Sequence, residues 1–312
     1  MRLDDPTFAD LIDVRVHDPE RIADALAARS RRSSPTRGGM MFIVAADHTA
    51  RGMVGLGADP LAMADRRSML DRLLTALEHP RVDGVLASAD IMEDLVLLGA
   101  LEDRVAVGTM NRGGLSGASW ELDDRFTAYD TQHLVAANLD AGKLLLRLDD
   151  DDPGTVSTLH AASRAVQELN DQRMIAMVEP IPYTKDANGR AVWDHGEHKL
   201  VRAVGISAAL GGSSAYTWLK IQATADIAAV AAMTTQPLLL LGGSPGPDPD
   251  VTFAMWERAL HEPTVRGLVV GRALLYPPDG DVAAAVGRAA ALVESAVNDR
   301  SGEPSRTGGS TD

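Results

Sequence analysis

The chain has 312 residues, 45% hydrophobic but only 4% aromatic, so a large core is possible and must be built mostly from Ala, Val, Leu and Ile. A formal net charge of −14, with a pI near 5.0, argues against a nucleic-acid or anionic-membrane surface, while local arginines still allow an anionic small molecule. The absence of cysteine excludes disulfides, zinc–thiolate sites and thiol nucleophiles.

The first residues, MRLDDPTFADLIDVR, lack the basic and apolar regions of a signal peptide, and no apolar run approaches the ~20 residues of a membrane span. A cytoplasmic protein is expected. Residues 1–37 read as a helical N-terminal extension, with apolar residues at Ile22, Ala25 and Leu26 followed by the polar SRRSSPTRGG. Strand candidates then follow in order: MMFIVAAD (40–47), VDGVLAS (82–88), RVAVGTM (104–110) and KLLLRLD (143–149). The second four are MIAMVEP (174–180), YTWLKIQ (216–222), PLLLLGG (237–243) and RGLVVGR (266–272). They are continuous apolar runs, as parallel strands covered on both faces require. Helical stretches such as RRSMLDRLLTALEH, VSTLHAASRAVQELNDQ and DVAAAVGRAAALVESA separate several of them. Eight such units predict a TIM (β/α)8 barrel over 38–297, with residues 298–312 a small, polar, disordered tail. An open doubly wound sheet is the fallback, but ADHTARGMVGLG after the first strand is a poor match to its glycine fingerprint.

A barrel places its chemistry at the C-terminal strand ends. Those ends are Asp47-His48, Ser88, Asn111-Arg112, Asp149, Glu179, Lys220 to Gln222, Gly242-Gly243-Ser244 and Gly271-Arg272. Lys220 stands out, because an ammonium between Leu219 and Ile221 must be paired or lose its proton. Alternation puts Trp218, Lys220 and Gln222 on the face opposite the helices, inside the barrel. Desolvation there would expose a neutral amine, the requirement for attack on a carbonyl. A structural ion pair with Asp47 or Glu179 is the alternative. Gly242, Gly243 and Ser244 after the seventh strand, with Gly271 and Arg272 after the eighth, suit a phosphate.

The ordered set of Asp47, KLLLRLD, VEPIPY, LKIQ, GGS and GR resembles the class I, Schiff-base (β/α)8 aldolases over residues 40–290. The likeness is to the tagatose-1,6-bisphosphate, archaeal-type fructose-bisphosphate and deoxyribose-phosphate aldolases. It implies a metal-independent lyase with no cofactor, in which Lys220 forms the imine and Lys143 sits beside it. It further implies that Glu179 moves protons during C–C cleavage, that Asp47 lies near the substrate carbonyl and hydroxyls, and that Arg272 binds phosphate. The sequence departs from that pattern in two places. ADHTARG has Thr49 where the fructose-bisphosphate branch has glycine, and the glycine-rich TMNRGGLSGASWELDD (109–124) has no counterpart in the tagatose branch. Within it, Arg112 could hold a second phosphate, a carboxylate or a sulfonate, or pair with Glu121 or Asp123.

Weaker signals are His195, Glu197 and His198 in WDHGEHKL, which could share a metal but read better as a solvated lid. The run LDDDDPG reads as a strand end followed by a helix N-terminus, leaving Asp149 as a candidate. Tyr183 either supplies a hydroxyl to proton transfer or packs a loop. The expected function is therefore reversible cleavage of a phosphorylated keto-sugar or keto-acid. A general similarity to aldolase-like proteins of inositol catabolism favours 5-dehydro-2-deoxy-gluconate 6-phosphate. Tagatose or fructose bisphosphate, deoxyribose phosphate and sulfofructose phosphate stay open, as do a sugar-phosphate isomerase or epimerase and a non-catalytic sugar-phosphate-binding barrel. A homo-oligomer is expected, with no nucleic-acid or membrane partner.

Overall fold

The computed structural model describes residues 3–302 except 244, 245 and 247, and leaves out the side chain of Glu197. Two helices come first, α1 (Asp5–His17), capped by Asp4 through Thr7 N–H, and α2 (Glu20–Ala28). The chain then alternates: β1 (Met41–Ala45), α3 (Arg66–Glu78), β2 (Gly84–Ala87), α4 (Ala89–Leu97), β3 (Val105–Thr109), α5 (Thr131–Ala136), β4 (Ala141–Leu148) and α6 (Gly154–Asp171). It continues through β5 (Ile175–Lys185), β6 (Ala191–Trp193), α7 (Glu197–Ala208), β7 (Thr217–Gln222), α8 (Ile227–Ala231) and β8 (Leu238–Leu241). The last elements are α9 (Pro249–Leu260), β9 (Val265–Val270), α10 (Arg272–Leu275) and α11 (Val282–Ser301).

Eight parallel strands pair in the order β1-β2-β3-β4-β5-β7-β8-β9, and β9 pairs with β1, so the sheet closes into a TIM barrel. The close approach at closure requires glycine. Gly267 has φ +135°, and a Cβ there would lie 1.8 Å from Met41 O. Alternation divides the core in two. Met41, Ile43, Leu86, Val107, Met177 and Leu239 fill the barrel, whereas Phe42, Val44, Leu144, Leu219 and Leu240 face the surrounding helices.

All eight expected strands form, with shifted ends. β4 begins two residues early, at Ala141, so Lys143 is its third residue and not its first. β5 runs on to Lys185 because Tyr183, Thr184 and Lys185 pair antiparallel with β6, a hairpin hidden in the polar 184–198 segment. The final helix extends to Ser301, past the expected start of the tail at 298, since VESAVNDRS continues the helical turn and still buries Ala296. The rest of that tail, 303–312, lies outside the described residues. The N-terminal helices are tied to the barrel: Arg15 of α1 pairs with Glu93 and Asp94 of α4, and Arg29 beyond α2 pairs with Asp140. No helix among the described residues is long and apolar enough to cross a membrane.

Candidate active site

Five buried ionic side chains meet inside the C-terminal end of the barrel. Lys220 rises from β7, Glu179 from β5 and Lys143 from β4, while Asp47 follows β1 and Arg112 follows β3. All are at most 7% exposed. Glu179 Oε1 accepts from Lys220 Nζ at 2.8 Å and Oε2 from Lys143 Nζ at 2.6 Å. Lys143 Nζ also reaches Asp47 Oδ2 at 3.3 Å. That carboxylate in turn takes contacts from Thr109 Oγ1 at 3.3 Å and Arg112 Nη1 at 3.4 Å. Arg112 also donates to the Asp47 carbonyl. A relay of alternating charge thus runs from the lone lysine of β7 to the loop after β3.

Electrostatics follow from burial and these partners. Burial alone would push Glu179 up, but Lys143 and Lys220 outweigh it and bring its carboxyl down to about 2. Asp47 is likewise held well below the usual carboxylate range, with burial opposing and Lys143 and Arg112 prevailing. Burial lowers the Lys143 ammonium against the pull of Asp47 and Glu179. His48, half-buried beside Asp47, is lowered to about 3 by desolvation, so its imidazole is neutral near pH 7.

This relay floors a cavity at the barrel mouth that encloses about 860 Å³, open solvent included. One wall carries Gly242, Gly243, Gly271 and Arg272; the facing wall carries Arg51, Glu121, Arg147, Tyr183 and Trp193. Gly243 has φ +64°, and a Cβ on Gly271 would lie 2.4 Å from Ala45 O and 2.6 Å from His48 Cε1, so both positions need glycine. Arg272 Nε is buried with no hydrogen-bond partner among the described residues.

A family model described as Cgl0159-like matches residues 39–290, four-fifths of the chain and the whole site. The chain belongs to the Cgl0159-like family. It is similar to the crystal structure of Cgl0159 from Corynebacterium glutamicum, with 45% identity and TM-score 0.91 over 94% of this chain and 98% of that one. An archaeal fructose 1,6-bisphosphate aldolase shares the fold at 17% identity and TM-score 0.63, over 88% of this chain and 99% of that one. The fructose-bisphosphate aldolase of Slackia heliotrinireducens does so at 13% identity and TM-score 0.64, over 99% and 96%. No curated protein matches.

The Cgl0159-like site gathers Asp47, His48, Lys143, Glu179, Tyr183, Lys220, Gly242, Gly243, Gly271 and Arg272 around one cavity. Ser244 lies outside the described residues. Asn111, Arg112 and Asp149 do not line this cavity. Asn111 is spent on β4, where its Oδ1 accepts from Leu145 N–H at 2.8 Å and its Nδ2 donates back to Leu145 O. Arg112 stands behind Asp47, and its expected pairing with Glu121 or Asp123 is corrected. Glu121 is taken by Arg147 and the Gly117 N–H, and Asp123 by Arg125. Asp149 borders a smaller cavity with Tyr183 and Lys199, and its Oδ1 accepts from Asp151 N–H. His195 stacks on Trp193 with ring centroids 4.9 Å apart.

Four contributors were not read from the sequence. Arg147 could have been, since period-two alternation carries Lys143, Leu145 and Arg147 to one face of β4. Arg51, Asp124 and Trp193 had no local signal, because loops and a hairpin bring them in.

Proposed function

We propose that this protein is a class I aldolase, cleaving a C–C bond of a phosphorylated keto-sugar or keto-acid through an imine on Lys220. The observation that carries this reading is the Lys220–Glu179–Lys143 bridge, buried at the floor of an open cavity. A lysine with an acid at 2.8 Å has a proton acceptor in reach as its amine attacks a carbonyl. Lys220 Nζ bonds to the carbonyl carbon, the oxygen leaves as water, and the iminium withdraws electrons from the neighbouring carbons. Glu179 then takes the β-hydroxyl proton, directly or through Tyr183, as the C–C bond breaks, and the electron pair returns to nitrogen as an enamine. Protonation at carbon and hydrolysis release the second product and restore Lys220. Lys143 keeps Glu179 ionised and oriented, and Asp47, fixed by Arg112 and Thr109, anchors Lys143. Arg272, Gly243 and Gly271 form the phosphate end. The aldolase neighbours support the fold of this reading.

The test is borohydride trapping. The protein is incubated with dihydroxyacetone phosphate, and separately with pyruvate, then reduced and its peptides mapped by mass spectrometry. A reduced adduct on Lys220 is the expected result. A folded protein with no adduct, but with turnover of a sugar phosphate that survives borohydride, supports an isomerase using Glu179 and Asp47 instead. Thermal stabilisation by sugar phosphates without any turnover supports a binding protein. A substrate panel led by 5-dehydro-2-deoxy-gluconate 6-phosphate, with the bisphosphates, deoxyribose phosphate and sulfofructose phosphate, then identifies the substrate.

A further inference from the structure

The two walls of the cavity carry arginines in opposite electrostatic states. On the far wall Asp124 Oδ2, fully buried, accepts from Arg51 Nη1 at 2.6 Å and Arg147 Nη1 at 2.9 Å. Glu121 Oε1 adds a long contact to Arg147 Nη2 at 3.4 Å, and its Oε2 accepts from Gly117 N–H at 2.7 Å. Backbone carbonyls take further donors: Glu121 O from Arg147 at 2.9 Å and Gly114 O from Arg51 at 3.3 Å. Two arginines there face two carboxylates, so the wall is neutral, although Arg147 Nε, like Arg272 Nε, has no hydrogen-bond partner among the described residues. The rest of that wall is aromatic, with Tyr183 and Trp193 cross-strand partners in the β5–β6 hairpin. On the near wall Arg272 has no carboxylate partner among the described residues, and its buried Nε bonds to nothing. On the floor, Asp47 and Glu179 already share Lys143, Lys220 and Arg112. Counting both walls and the floor, cations exceed carboxylates by two, which matches one phosphate dianion.

We infer that the cavity takes a substrate with a single phosphate, seated at Arg272, whose other end carries hydroxyls or one carboxylate and not a second phosphate. A second phosphate would be pressed against Glu121 where Arg51 and Arg147, the cations of that wall, are already committed to carboxylates, which is repulsive in a desolvated site. Hydroxyls suit the same wall, donating to Glu121 while C–H faces lie on Trp193. A planar carboxylate could replace that of Glu121 on Arg147 Nη2, where the existing contact is long. The inference rests on this cavity being the substrate site, but not on the imine chemistry.

The experiment compares mannitol 1-phosphate with mannitol 1,6-bisphosphate by titration calorimetry on the full chain. Neither has a carbonyl, so their binding is independent of Lys220 adduct formation, which the borohydride experiment tests separately. The monophosphate is expected to bind at least about tenfold more tightly, and Glu121→Gln, which frees Arg147, should narrow the gap. Equal or tighter binding of the bisphosphate, no binding of the monophosphate, or a gap unchanged in Glu121→Gln would overturn the inference.

Discussion

The barrel gathers ionic clusters at both ends, with arginines alone at one and two lysines beside an arginine at the other. At the N-terminal end Asp83, fully buried before β2, pairs with Arg32 at 2.6 Å, Arg37 at 3.0 Å and Arg81 at 2.5 Å, and accepts from Phe42 N–H at 2.8 Å. Two of these arginines come from the segment after α2, so one carboxylate fastens the N-terminal extension beneath the barrel. At the C-terminal end the cations in contact with Glu179 are both lysines. Guanidinium stays charged and holds a fixed fork, whereas a lysine ammonium can surrender its proton when desolvated. The carboxylates are buried at both ends, but Arg37 at the N-terminal end is 43% exposed whereas both lysines are buried. What separates the fastening from the proposed reactive site is the pair of lysines on one carboxylate and the open cavity above them.

Exchanging the roles of the two clusters should fail in opposite ways. Lys220→Ala should abolish turnover, by about 10³-fold or more, while shifting the thermal midpoint by only a few degrees. A steady-state assay alongside thermal melting reads both. An equally large loss of stability would make Lys220 part of a fastening like Asp83. Conversely, Asp83→Ala leaves buried Arg81 and half-buried Arg32 without their counter-charge and should cost about 3 kcal/mol. Denaturant unfolding measures this, and kcat of the remaining folded protein should stay close to that of the unmodified chain.

A smaller effect is expected where the reactive end demands close approach. Gly271→Ala drives a methyl into Ala45 O and His48, so it should destabilise by about 1–3 kcal/mol and raise KM for phosphorylated ligands. A change in stability with KM untouched would detach this loop from binding.

A further effect, gradual rather than abrupt, concerns pH, and it should belong to the C-terminal cluster. His48 is lowered from 6.5 to about 3, so below pH 6.5 the unfolded chain binds a proton that the folded chain refuses. Stability should therefore fall as pH drops from about 6.5 towards 3, with a slope up to ~1.4 kcal/mol per pH unit. Glu179, lowered from 4.5 to about 2, contributes stability that is present above pH 4.5 and lost on acidification towards 2. Urea unfolding at pH 7, 6 and 5 should show a shallower decline in His48→Gln, and an unchanged slope would remove His48 from this account.

Much of the fold was legible because parallel strands announce themselves as runs such as FIVA and LLLL, too apolar to face water on either side. The hairpin β5–β6 was not, because its pairing residues Ala191, Val192 and Trp193 form a short run among polar neighbours. Lys220, Glu179, Asp47 and Arg272 were legible as ionisable groups at strand ends, where desolvation makes any charge costly. By itself, then, the sequence determined the barrel, the end at which ionisable side chains gather and the lysine inside it, since periodicity and burial cost are local properties. Only the tertiary structure decided which charges cancel. Arg112 went to Asp47 and not to Glu121, and Arg51, 73 residues before Asp124, met it beside Arg147. Ion pairing depends on distance in space, and chain closure across the barrel sets that distance.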